Sequence, residues 1–170
     1  MLPAALYRLL LWKEGTNPSP LVVSEHRQDR TSRQVQDHLM CQACEQLFSA
    51  KGESWVLRKC CRGRSGAFEL RDEVLAEPPA VDYGNGLTEY STAGIPGAFA
   101  YLTYFALSVF WRAVVNRWRV LGRDYEPISL GPYEESIRHF LLGVGPFPDR
   151  AALTVLISNA PKPMQSSLAP

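Results

Sequence analysis

The chain has 170 residues, 46% apolar and 21% charged, a length and balance that suit one folded domain and exclude a disordered chain. Its formal net charge of +1 excludes a global basic field drawing it to nucleic acid, and leaves only local basic patches for that purpose. The opening stretch MLPAALYRLLLWKE has no basic leader, a short apolar run and no small-residue cleavage site, so it does not read as an export signal. A cytoplasmic, reducing setting is therefore expected for the four cysteines, and there Cys-x-x-Cys points to metal or redox chemistry before a structural disulfide.

In chain order, Pro3 suits a first helical turn and Ala4 to Lys13 are good helix formers, stopped by Gly15 and Asn-Pro-Ser-Pro at 17–20. Leu21-Val22-Val23 is a strand candidate. The polar stretch 25–37 reads as a solvated connection, in which Arg27, Arg30 and Arg33, with His26, form a weak candidate for phosphate or nucleic-acid contact. Cys41 and Cys44 follow, then a predicted helix from about Glu45 to Arg58 with Leu47, Phe48, Trp55 and Val56 as its apolar residues. Residues 67–75 form a short ordered segment of undetermined type. The Pro- and Gly-rich stretch 77–96 reads as an irregular linker, in which a flexible loop accounts for Asp82, Tyr83 and Glu89.

Residues 94–111, GIPGAFAYLTYFALSVFW, carry no formal charge and approach a membrane span in length. Tyr101, Thr103, Tyr104 and Ser108 interrupt them and Arg112 closes them. Ala100, Tyr104, Leu107, Trp111, Val114, Val115 and Trp118 recur at helical spacing, so a buried helix over about 97–121 is favoured over membrane insertion. Gly131 and Pro132 open a further helix with Glu134 and Glu135 near its positive end, Ile137, Phe140 and Leu141 on one face, and a stop near Gly143. Residues 152–158 read as a strand and 159–170 as a disordered tail.

The fold expected is α+β and mainly helical. A small cysteine-knuckle region (1–76) is joined through the linker (77–96) to a helical region (97–158). Two thiolates at Cys-x-x-Cys spacing converge on one tetrahedral ion, which makes Cys41 and Cys44 half of a candidate zinc site with His38 as a third ligand. Cys60 and Cys61 are adjacent and do not easily share one tetrahedral centre. A redox dithiol would need a βαβ setting that the flanking sequence lacks. Two plain buried thiols are the structural alternative. Arg112 is expected to pair with Glu134 or Glu135, and His139 to lie on a helix surface. No P-loop, dinucleotide fingerprint, HExxH or GxSxG motif is present, and no catalytic residue is assigned.

LPAALYR, HLMCQACEQLFS, LTYFALSVFWRAVV and ISLGPYEESIRHFLL together resemble a family of uncharacterised bacterial and phage proteins described as HNH-endonuclease-like or zinc-binding. The resemblance covers residues 2 to about 158, and the Trp-Arg pair and the LGPYEE-x-x-R phrase are its most specific parts. It implies a treble-clef zinc site whose second cysteine pair is Cys41 and Cys44, with a first pair and a catalytic His upstream of Met1. The nuclease activity of that family therefore does not carry over to these residues. The functions left open are an HNH-like zinc-binding protein without a complete nuclease site, a non-enzymatic helical module, and a membrane-associated protein using 94–111. The module would bind a protein partner through an exposed patch at Tyr101, Tyr104, Phe105 and Trp111, and a homodimer would pool two cysteine pairs around one zinc ion.

Overall fold

The computed structural model describes residues 21–24, 27–30, 39–60, 68–116, 119–120, 123–124, 129–149 and 151–157. Within them the protein is a mainly helical α+β fold. Strands β1 (Leu21–Ser24) and β2 (Arg27–Arg30) pair antiparallel, Leu21 opposite Arg30 and Ser24 opposite Arg27. Helix α1 (Gln42–Phe48) runs through a π-helical turn (Ser49–Glu53) into α2 (Ser54–Cys60). Helix α3 (Glu69–Ala76) is followed by the hairpin β3 (Pro79–Asp82) and β4 (Thr88–Tyr90). Helix α4 (Ala98–Val114) is the longest element. The short pair β5 (Arg119–Val120) and β6 (Arg123–Asp124) follows, then a 3-10 turn (Gly131–Tyr133) leads into α5 (Glu134–Leu142).

The core lies on two sides of α4. On one side Trp55 and Val56 of α2, Leu70 of α3, Ile95, Ala98 and Leu102 pack together, with Leu153 and Ile157 against them and Trp55 stacked on Tyr101 at 5.4 Å. On the other, Phe48, Tyr104, Ile137 and Leu141 form a second cluster, with Leu107, Trp111 and Phe140 packed on it. Each fully buried leucine here contributes roughly 1.5–3 kcal/mol by leaving water. Lys59 of α2 reaches Glu69 at 3.2 Å and also Glu73, joining α2 to α3 outside the first cluster.

The buried surface of α4 is wider than the face its apolar spacing predicts: Tyr104, Leu107 and Trp111 of that face do pack on the second cluster. Ala98, Leu102, Thr103, Tyr104, Ser108 and Arg112 are buried, whereas Ala100 and Val115 are exposed. Because α4 is flanked on two sides, polar residues fall inside it and must find partners there. Ser108 Oγ donates to the Phe105 carbonyl at 2.7 Å, and the Tyr104 hydroxyl donates to the Leu141 carbonyl at 2.6 Å. Leu141 lies in the last turn of α5, where carbonyls have no partner within the helix, so the tyrosine closes an otherwise orphaned acceptor. Gly143, at φ 74, ends α5 in the left-handed conformation, and Val144 N–H bonds to the His139 carbonyl at 3.0 Å.

Several boundaries differ from the expectations. The helix predicted from Glu45 begins at Gln42, and α4 ends at Val114 rather than near 121. The supposed linker contains a hairpin, whose turn is held by Asp82 Oδ1 accepting Gly84 N–H at 2.9 Å and Asn85 Oδ1 accepting Leu87 N–H at 3.1 Å. Residues 151–157 join no strand. Their Leu153 and Ile157 are spent on the core rather than on sheet pairing. The predicted N-terminal helix and the tail at 159–170 lie outside the described residues.

The π turn brings the α1–α2 backbone down onto α4. A Cβ at Gly52 would stand 2.9 Å from the backbone nitrogen of Phe105 and 3.1 Å from its Cα. Gly52→Ala is therefore expected to lower stability by about 1–3 kcal/mol in urea unfolding, against the gain of ~1 kcal/mol that alanine brings to an open helix. Burial first, and the nearby Cys44 to a lesser degree, push the Tyr104 phenol up to about 12, with Arg112 working the other way. A proton held more tightly in the folded state gives stability that is full below the unfolded phenol value and is lost as pH rises through about 12. Tyr104→Phe is expected to cost about 1–2 kcal/mol at neutral pH and to flatten that alkaline loss, both read from urea midpoints.

Candidate thiol site at the start of α1

Cys41 sits at the entrance to α1 with extended backbone (φ −71, ψ 161), and its carbonyl accepts the first helical bond, from Glu45 N–H at 3.0 Å. Cys44 lies one turn on. The two residues therefore present their sulfurs to the same side of the helix start, Cys41 exposed and Cys44 half-buried. No side chain makes a full capping hydrogen bond to this helix end. The Cys44 amide still lies close enough to the Cys41 sulfur to favour its thiolate. That amide, and next the Cys44 thiol donating to the same sulfur, hold Cys41 below the ordinary thiol value. The Cys44 thiol moves the other way, first because it is the donor in that contact and then because it is partly buried.

The helix that carries the pair also meets a buried charge. Arg112 of α4 is 7% exposed and its Nη1 donates to Glu53 Oε1 at 2.6 Å, while Nη2 stands 4.0 Å from Glu45 Oε2. Its guanidinium covers the Phe48 ring at 5.1 Å. Among the described residues, Arg112 Nε and Nη2 have no hydrogen-bond partner. The predicted pairing of Arg112 with Glu134 or Glu135 is thus corrected: the two glutamates it meets come from α1 and the π turn. Glu135 instead holds Arg138 at 2.6 Å and His139 at 3.1 Å on the exposed face of α5, where His139 was expected.

Arg27 and Arg30 are the two end residues of β2, while His38 and Arg33 lie outside the described residues. Among the described residues no group of three or more His, Cys, Asp or Glu side chains is arranged to hold a metal ion. Tyr104 is buried and Tyr101, Phe105 and Trp111 are partly covered, so the exposed aromatics of α4 are instead Phe99 and Phe110, at 63% and 56%. Among the described residues no helix is long and apolar enough to cross a membrane. Comparison with protein families, with curated proteins and with solved structures gave no match.

With Cys41 exposed and held toward its thiolate, it is expected to be the first of the described cysteines to be alkylated near neutral pH. Substoichiometric iodoacetamide followed by peptide mass mapping should label Cys41 ahead of Cys44 and Cys60. The pH at which its rate is half-maximal should rise in Cys44→Ala, which removes the donating side chain.

Proposed function

We propose that the chain is a zinc-binding protein of the HNH-like kind, with Cys41 and Cys44 as two thiolate ligands and no nuclease centre of its own. The observation that carries this reading is the placing of Cys41 at the entrance to α1 and Cys44 one turn on, the outer thiol exposed and held toward the charged form that a metal requires. The donor set fits half of a tetrahedral zinc site. The other two ligands would come from His38 and further residues outside those described, or from the same pair on a second copy of the chain. The likeness of HLMCQACEQLFS to the second cysteine pair of a treble clef supports the kind of site.

In such a site the metal is structural. It would supply the cross-link, while the chain's own residues orient the sulfurs. Phe48, Arg112 and Glu53 fix α1 against α4, and the Cys44 amide faces the Cys41 sulfur. A second reading, a module that docks on a partner through α4, is favoured by one observation. Phe99 and Phe110 are eleven residues apart, so they lie on nearly the same helix face, and both are exposed.

The deciding measurement is zinc per chain by elemental analysis on protein purified without added metal. About one zinc per chain, or one per two chains, is expected, and the Cys41→Ser/Cys44→Ser double variant should lose it. A well-folded protein without zinc would overturn the metal reading and leave the partner-docking reading as the one to pursue.

A further inference from the structure

We propose that Asn85, in the turn of the β3–β4 hairpin, is a site of spontaneous backbone modification. Its side chain closes onto the Gly86 nitrogen, loses ammonia, and opens with water to aspartate or isoaspartate, so that the hairpin records the age of the chain. Asparagine is among the thermolabile residues, and Asn85 is the one asparagine of the chain that precedes a glycine. Asn17 precedes Pro18, whose nitrogen carries no hydrogen to lose, and Asn116 and Asn159 precede Arg117 and Ala160, which carry a Cβ beside the nitrogen.

The geometry of the turn favours the same residue. Asn85 and Gly86 are both exposed, and a Cβ at Gly86 would meet nothing within 4 Å, so water and base reach the nitrogen. Gly86 takes φ 83, a conformation that L side chains rarely adopt, so the turn itself calls for the unhindered residue. Among the described residues nothing accepts a hydrogen bond from Gly86 N–H, which leaves its proton to solvent. Leu87 N–H donates to Asn85 Oδ1 at 3.1 Å. That bond folds the side-chain amide back over the Gly86 peptide and draws electrons away from Cγ, the carbon to be attacked.

Base removes the proton from Gly86 N, and the nitrogen attacks Asn85 Cγ to close a succinimide ring. The Cγ–Nδ2 bond breaks, and Nδ2 leaves as ammonia with a proton returned from solvent. Water then adds to either ring carbonyl. Addition at Cγ breaks the new N–Cγ bond and leaves aspartate. Addition at the Asn85 backbone carbonyl carbon breaks its bond to Gly86 N and leaves isoaspartate, with the main chain now running through Cγ. In sum a water is consumed and an ammonia released, with no oxidant or reductant. Either product places a new carboxylate between Asp82 and Glu89, in a stretch, 72–111, that contains no Lys or Arg. Isoaspartate also lengthens the main chain inside the turn that Tyr83 N–H closes on the Leu87 carbonyl at 3.1 Å.

The test incubates the purified full chain in mildly acidic and mildly alkaline buffer, folded and in urea, over days to weeks. Peptide mapping with electron-transfer fragmentation, which separates aspartate from isoaspartate, is read beside ammonia release. Circular dichroism checks that the folded samples stay folded. Expected are modification at Asn85 before Asn17, Asn116 and Asn159, isoaspartate among its products, and a rate that rises with pH. The rate in the folded protein should be no lower than in urea, and Asn85→Gln should lose the early ammonia. An Asn85 that stays intact in the folded protein while the urea-unfolded chain is modified overturns the inference, because the turn then guards the residue. Aspartate without isoaspartate, or earlier loss at another asparagine, overturns it as well.

Discussion

Arg112 holds its charge inside the protein, and the arrangement of α1, the π turn and α4 follows from the need to satisfy it. A guanidinium taken out of water is costly unless an anion meets it with good geometry. Glu53 supplies that anion from the last position of the π turn, and the Phe48 ring covers one face of the cation. In an unbroken α-helix each residue advances 100°. The π turn, where Ser54 N–H bonds to the Ser49 carbonyl five residues back, shifts that phase between α1 and α2. The shift lets Phe48 face one core cluster while Trp55 and Val56 face the other. Gly52 is the residue at which this geometry presses closest on α4, and its lack of a side chain lets the backbones meet.

The same constraint explains why so apolar a helix belongs inside a protein. Helix α4 carries Thr103, Tyr104, Ser108 and Arg112 among its buried residues. Tyr104 and Ser108 donate to backbone carbonyls, and Arg112 to a carboxylate. Those partners come from α5, from α4 itself and from the π turn, that is, from protein on both sides. Thr103 Oγ1 and Trp111 Nε1 are buried with no partner among the described residues, which marks the places where this stripe is least well compensated. A lipid environment would offer these groups nothing.

Much of this architecture was legible in the residues. The helix signals at Gly97, at Gly131-Pro132 and at Gly143 gave α4 and α5 their starts and α5 its stop, because caps and breakers act locally. Ile137 and Leu141 are buried as their spacing required. The spacing picked out only one of the two packed sides of α4, that of Tyr104, Leu107 and Trp111, since apolar periodicity assumes one packed side and this helix has two. The π turn left no signal either: SAKGE is ordinary helical sequence, and only the tertiary contact of Gly52 and Glu53 with α4 reveals its use. Arg112 was paired with acids near in sequence order to the later helix, whereas its partner lies 59 residues earlier. The strand expected at 152–158 failed for a related reason, because an apolar run predicts burial without saying whether a neighbouring strand or a core cluster receives it.

The thiol pair stands apart from this economy. Buried Tyr104, Ser108 and Arg112 each donate to a protein acceptor, while Cys41 is left exposed at the entrance to α1. A cysteine kept for packing is ordinarily among the most buried of residues. Two cysteines one helical turn apart, with the outer one exposed and the inner one donating to it, suit chemistry better than packing, and the buried cluster of Phe48, Glu53 and Arg112 fixes the helix that carries them. A metal site of the proposed kind would make one demand on that support: its thiolates must be positioned before the ion arrives.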